Sequence, residues 1–161
     1  MRLTTRGRYA VTALLDLALQ ASTDEKPITL AEIAARQSIS IAYLEQLFSK
    51  LKRSGLVSSS RGAMGGYRLA KPNHEIAILD IIEAVNESVD ATMCDGQGNC
   101  LKGAKCLTHD LWHDLSTQIE SYLSGVTIAD LVAKSGVTTS DTHVIADLLP
   151  QSRPQSAISM S

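Results

Sequence analysis

Residues 40–70 read SIAYLEQLFSKLKRSGLVSSSRGAMGGYRLA, and this stretch predicts one helix followed by a β-hairpin. Large apolar side chains recur at i, i+3, i+4 and i+7, the spacing of an amphipathic helix over residues 41–53: Leu44, Leu47, Phe48 and Leu51. Ser40 is a suitable N-cap for this helix, and Gly55 is suited to end it. Two short extended segments, residues 56–60 and 67–70, flank a glycine-rich turn, which is typical of a hairpin.

The sequence before residue 40 predicts two further helices. Residues 3–20 carry an apolar stripe at helical spacing, and Thr29 with Glu32 matches a capping box that opens a short second helix. Residues 38–40 then form a turn. Two helices, a turn, a third helix and a hairpin make a winged helix-turn-helix over residues 1–71. The expected fold class is therefore mainly α with a small β wing.

The outward face of the helix over residues 41–53 has an order that suits contact with DNA. Small or amide-bearing side chains lie near its start and cations near its end: Ala42, Gln46, Ser49, Lys50 and Arg53. In a recognition helix the first residues meet base edges and later residues approach phosphates. Arg61 at the hairpin tip suits insertion into a narrow minor groove, although a solvated loop arginine remains open as the alternative.

The charge distribution divides the chain into two halves of opposite sign. Residues 1–71 hold 11 Lys and Arg against 5 Asp and Glu, whereas residues 72–161 hold 4 against 12. A basic half suits a polyanionic ligand such as DNA, and the acidic half does not compete for it. Ordinary variation of surface charge is the alternative explanation.

The C-terminal half, residues 72–133, is predicted to carry a sensor loop and dimerisation helices. Residues 78–85 show a narrow apolar helical stripe. A longer helix from Thr108 to Gly125 has one apolar side: Leu111, Trp112, Leu115, Ile119 and Tyr122. Pairing with the same helix of a second subunit would bury that side and would suit palindromic DNA, whereas packing back on its own domain is the alternative. Residues 134–161 are rich in Ser and Thr and are expected to form a disordered tail.

The cysteines and one histidine form a single candidate site. Cys94, Cys100, Cys106 and His109 offer three thiolates and an imidazole, which could hold zinc or an iron–sulfur cluster. The spacing is wider than that of structural zinc knuckles, and the intervening glycines allow the backbone to wrap a larger group, which favours a cluster. A zinc site and simple reactive thiols remain open. His113, one turn later, is a possible substitute ligand or a surface histidine.

These motifs together resemble the IscR family of iron–sulfur cluster regulators. The matching stretches are residues 1–13 (MRLTTRGRYAVTA), 43–48 (YLEQLF), 55–59 (GLVSS) with Arg61 and Gly62, 87–92 (ESVDAT) and 106–109 (CLTH). The likeness runs from residue 1 to about residue 132, and these motifs are more specific than a general winged-helix pattern.

The resemblance implies a homodimer with one 2Fe–2S cluster per subunit, ligated by Cys94, Cys100, Cys106 and His109. It also implies control of cluster-assembly genes at palindromic promoter sites, with the cluster-assembly machinery as cluster donor. The predicted DNA-binding residues are Arg2, Ser40, Ala42, Tyr43, Glu45, Gln46, Lys50 and Arg61.

The chain departs from the family pattern at two places. Ala63 and Met64 stand where such regulators usually carry proline and glycine after the Arg-Gly of the wing. Ser38 replaces a glycine in the turn between the two helices, at a position that we expect to require a left-handed backbone.

Some functional classes are not expected. No apolar run approaches the ~20 residues that span a bilayer, and the basic N-terminus leads into an amphipathic pattern rather than a signal peptide, so we expect a cytoplasmic protein without a membrane partner. A cysteine-nucleophile enzyme is disfavoured because the sequence offers no recognisable base–orienter pair.

Overall fold

A computed structural model describes residues 3–21 and 26–136 of the chain. The helices and strands follow in the order α1 Thr5–Ala21, α2 Leu30–Gln37, α3 Ile41–Arg53, β1 Val57–Ser60, β2 Gly66–Leu69, α4 Ile78–Ala84, α5 His109–Gly125 and α6 Ile128–Lys134. The two strands pair antiparallel, with Val57 opposite Leu69 and Ser60 opposite Gly66. The predicted fold class, mainly α with a small β wing, is confirmed.

Side-chain caps set the helix boundaries in the N-terminal half. Thr29 and Glu32 form the predicted capping box: the Glu32 carboxylate accepts from the Thr29 N–H at 2.7 Å, and the Glu32 N–H donates to the Thr29 hydroxyl at 3.3 Å. Ser40 caps α3 by accepting from the Tyr43 N–H at 3.2 Å. Between α2 and α3, Ser38 adopts φ 54° and ψ 39°, the left-handed conformation expected at that turn.

A buried ion pair joins α1 to α2. The Asp16 carboxylate, with only 1% of its side chain exposed, accepts from Arg36 Nη2 at 2.7 Å and from Gln37 Nε2 at 2.6 Å. Arg36 Nε also donates to both carboxylate oxygens, at 3.2 and 3.0 Å. This contact fixes the orientation of the helix pair that precedes α3.

One hydrophobic core spans both halves of the chain. Leu14 and Leu17 of α1 and Phe48 of α3 belong to the same buried cluster as Ile81 of α4 and Ile128 of α6. Both α4 and α6 pack against α1. The core therefore continues across residues 71 and 72, where the sequence changes from basic to acidic.

Most of helix α5 lies outside the core. Of its 17 residues, His109 and Ser116 are buried, whereas Leu111, Trp112, Leu115 and Tyr122 are 60%, 41%, 40% and 65% exposed. Ile119 and Leu123 are partly buried against the core. Packing back on its own chain therefore leaves most of the predicted dimerisation stripe in solvent.

The predicted tail, residues 134–161, begins at the last residue of α6, and from residue 137 it lies outside the described residues. Among the helices of the described ranges, none is both long and apolar enough to cross a membrane.

Candidate functional site

Three of the four predicted ligands converge at the start of α5. The Sγ atoms of Cys94 and Cys100 and one ring nitrogen of His109 lie within 4.8 Å of one another. His109 Nδ1 is 3.5 Å from the Cys94 sulfur and 3.7 Å from the Cys100 sulfur. Cys94 and His109 are buried, and Cys100 is half-buried. Two soft sulfur donors and an imidazole in this arrangement suit iron or zinc.

Local hydrogen bonds shape the segment that carries these donors, residues 88–108, which we call the cysteine loop. The Asp90 carboxylate accepts from the Thr92 N–H at 2.7 Å, and the Thr92 hydroxyl accepts from the Gly96 N–H at 2.7 Å. Gly98 has φ 70°, and a Cβ placed there would lie 3.9 Å from His109 Nε2. The loop backbone thus passes directly beside the imidazole, at a position where only glycine is unstrained.

Cys106, the fourth predicted ligand, lies beside this group without belonging to it. Its N–H donates to the Cys100 sulfur at 3.1 Å, while its own sulfur is 3.9 Å from the Thr108 hydroxyl. The Thr108 side chain does not cap α5 and instead accepts from Trp112 Nε1 at 3.1 Å.

The three thiols differ in acidity because their surroundings differ. A hydrogen bond from Cys100, helped by the Thr108 N–H, lowers the pKa of Cys106. The pKa of Cys100 is raised, since the lowering by the Cys106 N–H is outweighed by the Cys106 side chain and by burial. Burial acts to raise the pKa of Cys94, but hydrogen bonds from the Gly98 N–H and the Thr92 hydroxyl outweigh it and lower that pKa. Thiolates are the metal-binding form of cysteine, so two of the three thiols are biased towards ligation.

His113 lies next to His109 but outside the group of donors. The two rings stack with centroids 5.9 Å apart and planes 12° from parallel, and His113 is exposed. The donor set that the described structure brings together therefore contains His109 and not His113.

The predicted DNA-reading residues are divided between an open face and supporting positions. Ala42, Glu45 and Gln46 are exposed and line one shallow depression on α3, which Lys50 and Arg53 extend. Lys50 is half-buried, and its Nζ lies 3.4 Å from the Val85 carbonyl oxygen.

The remaining predicted contacts lie around this face. Ser40 serves as the cap of α3, and Tyr43 is half-buried with its ring edge-on to Tyr9 at 5.9 Å. Arg61 is exposed at the tip of the wing, whereas Arg2 lies outside the described residues.

Sequence reasoning missed two residues that support these sites. Tyr9 of α1 contacts Tyr43 near the start of α3, and Glu87 is a buried carboxylate between α4 and the cysteine loop. Gly7, near the start of α1, is the residue that could have pointed to this contact. Glycine inside a helix is less stable than alanine, so its presence there indicates that another group approaches the backbone closely.

Comparison with known proteins identifies the family. Residues 3–134 match the Rrf2 family, described as iron-dependent transcriptional regulators. The HTH-type transcriptional regulator IscR of Escherichia coli O1:K1 / APEC is 50% identical over 158 residues, which cover 98% of this chain and 96% of that protein.

Solved structures agree with this assignment. The structure of T. potens IscR is similar with a TM-score of 0.67 at 36% identity, over 84% of this chain and 88% of that one. The oxidized form of Staphylococcus aureus CymR is similar with a TM-score of 0.65 at 31% identity, over 82% of this chain and 96% of that one. The predicted class, a DNA-binding regulator rather than an enzyme, is confirmed by these relatives. The chain belongs to the Rrf2 family of transcriptional regulators.

Proposed function

We propose that this regulator is a homodimer that senses iron–sulfur cluster status through one 2Fe–2S cluster per subunit and controls cluster-assembly genes. The observation that carries the proposal is the convergence of Cys94, Cys100 and His109 at the first turn of α5, the helix with the exposed apolar stripe. A group held there contacts both the loop and the helix through which two subunits would associate.

Cys94, Cys100, Cys106 and His109 would hold the cluster. The Cys106 N–H already lies at the Cys100 sulfur, so the fourth thiol is adjacent to the other donors. When bound, such a cluster supplies a redox-active and labile group, and an imidazole in place of a thiolate raises its potential. The cluster-assembly machinery is the proposed donor, and three free thiols suit a reducing cytoplasm.

DNA recognition is assigned to α3 and the wing. In a two-fold dimer the two copies of α3 would read the half-sites of a palindrome. Gln46 and Ala42 would meet base edges, Lys50 and Arg53 would approach phosphates, and Arg61 would enter the minor groove. Glu45 is expected to restrict the accepted sequences, because a carboxylate facing DNA is repelled unless it accepts a hydrogen bond such as that from cytosine N4.

Anaerobic purification tests the cluster. The parent protein is expected to absorb visible light and to contain about two irons per chain. His109→Ala and His113→Ala form a matched pair one helical turn apart: the first is expected to lose the absorbance and the second to keep it. Colourless protein with one zinc per chain would reject the cluster. Full absorbance in Cys106→Ala would remove Cys106 from the ligand set.

A zinc or thiol sensor at the same site is the second candidate. It is favoured by the lowered pKa of Cys106, which the adjacent Cys100 side chain causes, and by the solved oxidized form of the similar S. aureus CymR. Under this candidate, purified protein is colourless, and mild oxidation changes its DNA affinity through these thiols. Binding isotherms at fixed salt then compare the two candidates. The DNA is a palindromic duplex that the parent protein selects from a randomised pool.

A further inference from the structure

Glu87 is a buried carboxylate that the sensor site and the DNA-reading face both leave unexplained. It is only 8% exposed, and it accepts from the backbone N–H of Thr4 at 2.7 Å and from the Thr4 hydroxyl. The two residues are 83 positions apart in the chain. A buried carboxylate is tolerated only with such partners, so this contact is specific rather than incidental.

Gly7 leaves the space that Glu87 occupies. Gly7 is buried in α1, where glycine is unfavourable compared with alanine. A Cβ at this position would lie 3.1 Å from Glu87 Oε2 and 3.0 Å from Leu3 Cδ1. The close approach of the carboxylate explains why the helix has no side chain at this point.

On one side, Glu87 acts on the part of the molecule that would face DNA. Thr4 immediately precedes α1, and its hydroxyl also accepts from the Arg6 N–H at 3.3 Å. The carboxylate therefore supplies negative charge at the N-terminus of α1, where the helix dipole favours it. Tyr9, one turn and a half further on, contacts Tyr43 at the start of α3.

On the other side, Glu87 leads directly into the cysteine loop. Val89 is buried, and the Ala91 N–H donates to the Ser116 hydroxyl of α5 at 2.8 Å. The Asp90 carboxylate is 3.4 Å from the same hydroxyl. Only a short, anchored segment therefore separates Glu87 from Cys94 and from α5.

We propose that Glu87 is a positioning residue that couples the cysteine loop and α5 to the N-terminus of α1, and through Tyr9 and Tyr43 to α3. A shift of the segment that holds Glu87 moves or releases Thr4, which changes how α1 and α3 are presented to DNA. The inference rests on the proposed function, since it describes how a group bound in the loop alters DNA affinity.

The test compares DNA affinity with and without the cluster in matched variants. Glu87→Gln removes the charge at nearly constant size, and Thr4→Val replaces the hydroxyl that donates to Glu87 with a methyl group and keeps the backbone N–H. Glu83→Gln, an exposed glutamate on α4, removes the same charge nearby and serves as control. The readout compares the dissociation constants of the cluster-bound and cluster-free forms on the selected palindromic duplex. It is the ratio of the larger constant to the smaller one in the parent, taken in the same order for every variant.

In Glu87→Gln we expect the visible absorbance to be kept and the ratio to fall towards one, a loss of about 5-fold or more, since coupling between sites is typically about 5- to 150-fold. Thr4→Val should lower the ratio in the same direction, with the double variant less than additive. Glu83→Gln should keep the parent ratio.

Three different results would overturn the inference, and they can be told apart. A parent ratio above one that both variants retain, with absorbance intact, rejects the coupling alone. A parent whose two forms bind equally rejects the proposed sensing as well. Loss of absorbance in Glu87→Gln while Thr4→Val keeps the parent ratio would place Glu87 in the support of the loop, which also contradicts coupling.

Discussion

Truncation of Leu111 to alanine is expected to weaken the proposed dimer strongly. Leu111 lies near the start of α5 and is 60% exposed in the single chain. It shares the exposed side of the helix with Trp112, Leu115 and Tyr122, so a partner helix would cover these side chains together. Because the change is on an exposed side chain, the fold of the monomer should be little affected.

The magnitude follows from the exposed fraction. Burying a whole leucine side chain contributes about 1.5–3 kcal/mol, so burying the exposed part of Leu111 contributes about 1–2 kcal/mol in each subunit. A two-fold interface contains the residue twice, which gives about 2–4 kcal/mol per dimer. At about 1.4 kcal/mol per tenfold, the dimer dissociation constant should rise about 30- to 700-fold.

This predicted loss is a large part of the total free energy that α5 can contribute to the dimer. The exposed parts of the four side chains amount to about two whole apolar side chains per subunit, or about 6–12 kcal/mol per dimer. Association itself costs about 4–15 kcal/mol, so α5 provides little surplus and each of its large side chains matters.

Sedimentation equilibrium over a concentration series measures the dissociation constant directly. Met64→Ala is the matched control, because Met64 is 77% exposed but lies at the wing rather than on α5. It should leave the dimer unchanged. A parent that remains monomeric at micromolar concentration, or a Leu111→Ala variant that dissociates as the parent does, would refute the assignment of α5 as the dimer interface.

Three further predictions concern the N-terminal half. Asp16→Ala removes a buried carboxylate that accepts hydrogen bonds from Arg36 and Gln37 and should lower the free energy of unfolding by about 2 kcal/mol, measured by urea denaturation, and a loss below about 0.5 kcal/mol would contradict this role. Ser38→Gly should stabilise by about 0.5–1 kcal/mol because of the left-handed backbone, whereas Ser54→Gly, at φ −82°, should destabilise. The Thr29 N–H, followed by the Thr29 hydroxyl, lowers the pKa of Glu32, so its stabilisation should be full above the ordinary value of 4.5 and lost as pH falls through the folded pKa. Urea unfolding of the parent and Glu32→Gln at pH 7 and at acid pH checks this sign: the difference in stability should shrink at acid pH, and a constant difference would contradict it.

The local parts of the fold were predictable because they rest on neighbours in sequence. The core stripe of α3 follows from spacing alone, and the bounds of α3 agree with the prediction because Ser40 caps it. The capping box of Thr29 and Glu32 and the strained backbone of Ser38 also depend only on adjacent residues. Each of these features is decided within one or two helical turns.

The features that sequence reasoning missed depend on contacts between distant residues. The ion pair of Asp16 with Arg36 joins two helices, and the contact of Thr4 with Glu87 joins the start of α1 to the segment after α4. Lys50 lies along the predicted DNA face, and its ammonium group also reaches the Val85 carbonyl of the other half, a contact that the sequence did not indicate. Periodicity carries no information about such pairs, since it describes one element at a time.

The candidate site was predictable in composition but not in geometry. The spacing of cysteines and histidine indicated a ligand set, while the cysteine loop has no period from which a conformation could be inferred. Its shape instead follows from Asp90, Thr92 and Gly98, which hold the backbone around His109. The position of Cys106 beside the group, bonded to Cys100 through its N–H, is a result of that conformation and not of spacing.

The shared core changes how the two halves must communicate. If the basic and acidic halves were separate domains on a linker, a group bound in the cysteine loop would affect DNA binding only through the spacing of the subunits. Because α4 and α6 pack against α1, the loop is attached to the same packed core as α3. Under these proposals, a change at Cys94 and His109 affects DNA binding in two ways: through the orientation of α5 in the dimer, and through the hydrogen bonds between Glu87 and Thr4. Leu111→Ala acts on the first and Glu87→Gln on the second, so the two variants should alter DNA binding independently if both operate.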